Sequence, residues 1–417
     1  MLVQWAQHGL GLKMVSNFPN QPSELTVQIL ERKSNAPIED ISPLVLQVKF
    51  TERWRNFGFG SLTIRSEDLS AESTEFILNG NASVRIIREK VDVLTTGDVT
   101  NTDTFTGPIT KASLMDGNFL AQDLNFSTVA NEIIVLGNNT GSSRNVTRVS
   151  NTSSQASIGC RELIVDARPT TTSAERTARG NAVLDEVSDF SRQVRAGGVS
   201  TGRFTWRLEF ADNLVYLKYR HIGTSGVAKI DPGNVAAGNY IRSVLNDNLI
   251  IPQSASHDDG ANRQIDVPAV IGTYDGIGET LDLPVRWNNL STVVRTACIS
   301  GEVGVRPSVN TANQIEYNVN AINDRTSGTT NAVIYNRDNA DASFNIQVGD
   351  KITLEEYIFE SSTTPEIGPI AQLVTAREII MERGREDFVK LQMGGENRGF
   401  TDMMNRNQQS SLQATYA

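Results

Sequence analysis

The side chains that could do chemistry are few and scattered. The 417-residue chain carries three histidines, His8, His221 and His257, and two cysteines, Cys160 and Cys298. No histidine or cysteine sits at metal-ligand spacing, and there is no HExxH pair, Walker loop or GxSxG elbow. His257 leads Asp258 and Asp259 into HDDGANRQ, which reads as a solvated charged loop rather than a base or a metal site. Glu67/Asp68 and Glu355/Glu356 are adjacent carboxylates. Neighbouring residues on a strand face opposite ways, so neither pair suits the facing carboxylates of a glycosidase. Asp98, Asn101 and Asp103 miss the EF-hand spacing. GNNTG (Gly137–Gly141) joins two strands and opens no helix, which disfavours a phosphate cradle. Arg53 and Arg55 flank Trp54, and packing of a hairpin accounts for them better than a nucleic-acid patch does. The expectation is a non-enzyme with no catalytic residue, no cofactor-binding residue, no metal ligand and no cofactor.

Bulk composition narrows the class. Lys and Arg total 38 against 48 Asp and Glu, a net charge of -10 that argues against a dedicated nucleic-acid binder. Hydrophobic residues make up 39% and aromatics 6%, the balance of a strand-and-loop protein with much polar surface. The two distant cysteines read as reduced core thiols of a protein made in a cytoplasm. The start, MLVQWAQHGLGLKMVS, lacks a basic n-region and an unbroken apolar core, and no run is apolar enough to span a bilayer, so a protein soluble when made is expected. Arginine outnumbers lysine, which suits planar ion pairs at interfaces.

The elements that must position these residues are organised around Asn131–Phe190. Glu132–Leu136 is a β-branched strand, GNNTG a turn, Arg144–Val149 a second strand, and a polar Ser/Thr/Asn loop leads to a third strand at Arg161–Asp166. Thr172 and Glu175 form a capping box for a helix over Ala174–Phe190, with Val183, Leu184, Val187 and Phe190 on one stripe and Gly197-Gly198 as its stop. Before this block lie an arm over residues 1 to 23, ending at Pro19 and Pro22, and strands at LTVQIL, Leu44–Phe50, Ser61–Ile64, Ala82–Ile87 and Phe105–Ser113. FTERWRNFGFG predicts a hairpin whose Trp54, Phe57 and Phe59 cap a small barrel. Thr95–Thr104 reads as a loop. Beyond the block, Phe204, Trp206, Leu208 and Phe210 alternate, and Asp212-Asn213 turns the chain into a second strand at Leu214–Tyr219. Helices follow over Asn239–Pro252 and Leu283–Gly301, the latter with Trp287, Leu290, Val294, Ala297 and Cys298 on its stripe. Strands return at Ile315–Ala321, Ala332–Tyr335 and Ile346–Leu354, the last turning at Gly349-Asp350. IAQLVTAREII and DFVKLQM form a closing pair, and the tail from Gly394 is polar.

Seven phrases together resemble the tail hub (tail-tip or baseplate hub) family of long-tailed, siphophage-type bacteriophages: FTERWRNFGFGSLTI, FTGPITKAS, LNFSTVANEIIVLGNNTGSSR, CRELIVDAR with its ARGNAVLDE helix, YIRSVLNDNLIIP, PVRWNNLSTVVRTA and IQVGDKITL. Their order departs from the order expected of the family, because the YIRSV and RWNNL helices follow the two strand phrases instead of preceding them. The resemblance implies a mainly β fold with smaller α+β units: two tail-tube-like β-barrel domains plus inserted domains. The division it suggests is 1–113, an N-terminal β-barrel domain with its arm; 114–202, the strand-turn-strand block with its helix; 203–305, a strand hairpin plus a helical α/β unit; and 306–417, a C-terminal β domain with a polar tail. It further implies a homotrimer at the virion tail tip, made in the host cytoplasm. Its partners would be the distal tail ring and tail tube proteins on one side and tail spike, fibre or receptor-binding proteins on the other, with transient DNA passage and no specific DNA binding. The alternatives are a distal tail ring protein or receptor-binding adhesin, marked by an exposed aromatic cleft, and a cell-wall or glycan hydrolase, marked by a carboxylate or histidine constellation in a pocket.

Overall fold

The computed structural model describes residues 11–12, 23–91, 99–117, 119–139, 144–194, 202–222, 233–251, 264–285, 287–324, 346–354, 370–382 and 388–394. The alternating and β-branched runs form strands, and the protein is mainly β. The first third supplies β1 (Gly11–Leu12), β2 (Ser23–Glu31), β3 (Pro37–Asp40), β4 (Val45–Arg53) and β5 (Phe59–Arg65). Helix α1 (Ala71–Leu78) starts at Ser70, whose hydroxyl accepts from the Ser73 amide. Then come β6 (Ala82–Val91), β7 (Val99–Asp116) and β8 (Phe119–Asn125). The central block holds β9 (Glu132–Leu136), β10 (Val146–Ser150), α2 (Thr152–Ile158), β11 (Glu162–Asp166), α3 (Ser173–Val187) and β12 (Ser191–Val194). After β13 (Phe204–Ala211) the chain turns helical, with β14 (Val235–Ala236), α4 (Ala237–Leu245), β15 (Ala269–Ile271), β16 (Thr280–Leu281) and α5 (Leu290–Ser300). It ends on β17 (Val303–Val309), β18 (Ile315–Ala321), β19 (Asn323–Asp324), β20 (Asp350–Leu354), β21 (Ile370–Glu382) and β22 (Phe388–Met393).

The largest sheet has 14 strands and a main path β1-β22-β21-β4-β5-β13-β7-β6-β2-β3, from which β8, β12, β19 and β20 branch. Among the described strands no sheet closes into a barrel. β13 lies antiparallel between β5 and β7, with Leu208 opposite Leu62 and Ala112. Its alternation places Trp206, Leu208 and Phe210 in a core shared with Phe50, Val84 and Ile379. Gly107 on β7 is required there, because a Cβ would stand 1.7 Å from the Ala211 carbonyl oxygen. A second core packs α4 and α5 with β17 and β18 through Ile241, Val244, Val294 and Tyr317. A third, small core sits between α3 and the three-stranded β10-β9-β11 sheet, through Ile133, Val135 and Leu184. Trp54, 2% exposed, bridges the first two: its ring lies against Gly304 of β17 and Gly349 before β20, where added Cβ atoms would meet it at 2.6 and 2.2 Å.

Most local expectations hold. β9 pairs antiparallel with β10 and parallel with β11. The Thr172–Glu175 capping box opens α3, Gly349 turns at φ 91°, and β21 pairs with β22. Six details differ. Leu214–Tyr219 is a 3-10 helix and not the second strand of a hairpin, because both edges of β13 are already taken by β5 and β7. The polar loop after Ser150 folds into α2, since the Asn151 side chain accepts from the Ser154 amide. Helix α3 stops at Val187, before Phe190, whose ring leaves the helix to pack 4.9 Å from that of Phe126; Gly197-Gly198 lies outside the described residues. From Val99 onward the expected loop is strand, paired with β6. Trp287 stands before α5 at φ 55°, because Asn289 caps that helix. Of the three hairpin aromatics only Trp54 is buried, and Phe59 is 43% exposed. The Ala332–Tyr335 strand, the proline-bounded end of the arm and the polar tail beyond Gly394 lie outside the described residues.

Candidate functional site

Three arginines stitch the cores together where their segments meet. Arg32, just past β2 and fully buried, forks onto Asp266, with Nη1–Oδ1 at 2.8 Å and Nη2–Oδ2 at 2.6 Å. Its Nη2 also donates to the Ser157 carbonyl at the end of α2. Burial acts most strongly and would lower the Arg32 pKa, but the Asp266 charge and hydrogen bond together with Tyr216 outweigh it and hold the guanidinium above its ordinary value. Burial likewise acts most strongly and would raise Asp266, but the Arg32 charge and hydrogen bonds together with the Arg220 and Lys33 charges override it, keeping the carboxyl below its usual range. Arg161 donates to the Phe126 carbonyl and lies 4.3 Å over the Tyr219 ring, while Arg220 donates to the Cys160 carbonyl. A second buried pair, Arg377 on Glu52 at 2.6 Å, ties β21 to β4.

Asp212 carries a different charge problem. It follows β13 and accepts from the Gly58 amide at 2.5 Å and the Leu214 amide at 2.9 Å, which fixes the β4–β5 hairpin against the 3-10 turn. Burial pushes its carboxyl up to about 7, against the pull of those two amides, and the nearby Glu52 charge adds to the rise. Glu132 is raised by burial in the same sense, and Glu162 directly opposite it on β11 contributes repulsion.

Two clefts open on either side of this hairpin. One, about 310 Å³, lies between Glu52, Arg53 and Thr106 of the main sheet and Arg306, Asn318 and Asn320 of β17 and β18. The other, about 470 Å³, has a floor that includes Phe210 and Val215, the rings of Phe57, Phe59 and Tyr219, and a rim with Lys49, Arg207 and Lys218.

Among the described residues flagged for chemistry in the sequence, only Arg53 lines either cleft. His221 forms an isolated bridge with Asn289, and its amide donates to Glu162; His8 and His257 lie outside the described residues. Cys160 and Cys298 are buried free thiols. Glu67 and Asp68 are exposed, and Glu355, Glu356 and Asp98 lie outside the described residues, as does part of the GNNTG turn. Arg53 lies 4.9 Å over the Phe59 ring and Arg55 donates to the Val303 carbonyl, so both serve hairpin packing. Among the described residues no group of three or more His, Cys, Asp or Glu gathers around a point that could hold a metal ion. No described helix is long and apolar enough to cross a membrane. The polar residues that matter most to the packing, Arg32 with Asp266, Glu52 with Arg377, and Asp212, carried no motif. Their partners lie 234, 325 and 154 positions away, so no local spacing could have disclosed them.

No family model matches the chain, and no curated protein matches it. Among solved structures it is similar to a tail protein from Neisseria meningitidis MC58, at TM-score 0.36 and 8% identity over 91% of this chain and 98% of that one. A 43 kDa tail protein of prophage MuSo2 from Shewanella oneidensis aligns at TM-score 0.32 and 6% identity, over 89% and 96% of the two chains. The E. coli c3393 protein, a type VI secretion component described as similar to T4 tail proteins gp27 and gp5, aligns at 0.34 and 8%, over 85% and 74%. These scores fall short of a shared fold.

Proposed function

We propose that the chain is a structural hub of a phage tail tip, a homotrimer closing the distal end of the tail tube and joining it to tip components. The observation that carries this reading is where the hub-like phrases fall. FTERWRNFGFG holds Trp54 and Gly58, which lock the hairpin to β17 and to Asp212. FTGPITKAS holds Gly107, at the close approach of β7 and β13. CRELIVDAR holds Cys160 and Arg161, which join the central block to Arg220 and Phe126. IQVGDKITL holds Gly349, seated against Trp54. Four of the seven phrases thus hold residues at contacts between distant segments, as expected when a shared architecture and not a shared active site is what they encode.

The two tail-tube-like barrels belong to this proposal. One would be built from the first strand series, Leu25 to Ser113, and the other from a second strand-rich set drawn from Arg203 to His221 and Ile346 to Met393. The division of the chain at residues 114, 203 and 306 belongs to it too, as do the partners above and below, the passage of DNA and the place in the virion. Symmetry gives the physical need: a six-subunit tube must dock on a tip that narrows to threefold, and heterologous ring contacts close only at a fixed rotation. Electron cryomicroscopy and native mass spectrometry of the purified assembly test the reading. Three copies per ring, each presenting two barrel-like units, are expected. A monomer, or six copies per ring, would remove the hub and favour a distal ring protein.

A further inference from the structure

We propose that the cleft beside the β4–β5 hairpin binds an anionic saccharide. This goes beyond the hub reading and does not depend on it.

Its volume, about 470 Å³, lies within the range of small-ligand sites. The floor is apolar and aromatic, and Phe59 is 43% exposed at its edge. The exposed ring of Phe59 and the half-buried ring of Phe57, beside the Ser61 hydroxyl, offer a surface for the C–H face of a sugar and a partner for its own hydroxyls. The rim sets the charge. Lys49, Arg207 and Lys218 line the cleft against a single carboxylate, Glu209. Lys49 is engaged by Glu378 at 2.8 Å, whereas Arg207 and Lys218 form no ion pair among the described residues. In a chain of net charge -10, three cations against one carboxylate, with Lys218 lying 6.0 Å over the Tyr219 ring and neither Arg207 nor Lys218 ion-paired among the described residues, select an anionic substituent, which they would hold by charge-assisted hydrogen bonds.

The surrounding strands argue against an extended peptide. The cleft lies over β4, β5 and β13, and each of these is paired on both edges. No backbone edge is open there for strand addition. Three cations beside an otherwise acidic chain are also too few for a nucleic-acid track.

Calorimetric titration of the full chain with a glucuronate-containing disaccharide, the matching neutral disaccharide and inorganic phosphate tests the proposal. The uronate disaccharide is expected to bind, with the neutral one at least about tenfold weaker through loss of the charged contacts. Arg207→Glu and Lys218→Glu, both exposed positions, should each weaken uronate binding by about tenfold or more with circular dichroism unchanged. Phe59→Ala should weaken both sugars alike. The proposal falls if no disaccharide binds at millimolar concentration, if the neutral sugar binds as well, if the charge reversals leave binding intact, or if phosphate binds as tightly as the uronate. It also falls if Lys218→Glu dissociates an oligomer, since the cleft would then seat a second copy.

Discussion

At the scale of single residues, buried charge decides what the protein tolerates. Asp212 keeps its proton to about pH 7 in the folded chain, whereas its ordinary value is 3.8. Between those values the unfolded chain has lost the proton and the folded chain has not, so this residue's contribution falls as pH rises and levels off above about 7. The shift corresponds to about 4 kcal/mol. Asp212→Asn should therefore gain on the wild type as pH goes from 4 to 8, read as the difference between their melting temperatures. A difference flat with pH would remove the assignment. The Arg32–Asp266 pair has the opposite sign, because the Asp266 pKa is lowered: its support is present above the ordinary carboxylate value and is lost as pH falls through the lowered one. Asp266→Asn leaves a buried guanidinium facing a neutral amide and should cost about 3 kcal/mol at pH 7 in urea unfolding. The penalty should shrink as pH falls through the lowered Asp266 value, below which the wild-type carboxyl is itself protonated.

At the scale of elements, caps and close approaches can be tested one by one. In α3 the Thr172 hydroxyl accepts from the Glu175 amide while Glu175 reaches back, so Thr172→Ala should cost about 1 kcal/mol. On the buried side of the same helix, Leu184→Asp places a carboxylate against Ile133 and Val135 and should cost about 3 kcal/mol or more. Unchanged thermal stability of that variant would mean the stripe does not pack there. Gly107→Ala forces β7 away from β13 against backbone atoms that cannot yield cheaply, with about 3 kcal/mol expected by chemical denaturation. The capping box and the apolar stripe were legible in the sequence because their partners lie within one or two helical turns. The glycine was not, because its reason lies on a strand about a hundred residues away.

At the scale of the whole molecule, the chain's negative charge is compatible with the proposed hub, through which DNA would slide without adhering, since each Lys or Arg contact with phosphate raises affinity. A salt-dependent mobility shift with duplex DNA is expected to show no binding at physiological ionic strength. Tight binding that weakens steeply with salt would count against a passage role.

The sequence by itself determined the strands at β2, β4 to β6, β9 and β11, the start of α3 and the end of α5 at Gly301. Each depends on periodicity or on a cap within a few residues. It also determined that its histidines and cysteines hold no local catalytic or metal-binding spacing. Only the tertiary structure decided that β13 inserts between β5 and β7, and that insertion turned Leu214–Tyr219 from an expected strand into a 3-10 helix by leaving it no edge to pair with. It also decided which charges are buried. Arg32 meets Asp266, and Glu52 meets Arg377, only once segments hundreds of residues apart have folded onto one another. Periodicity reports which face of an element is apolar. It carries no information about which distant element covers that face, because that choice is made by the packing of the whole chain.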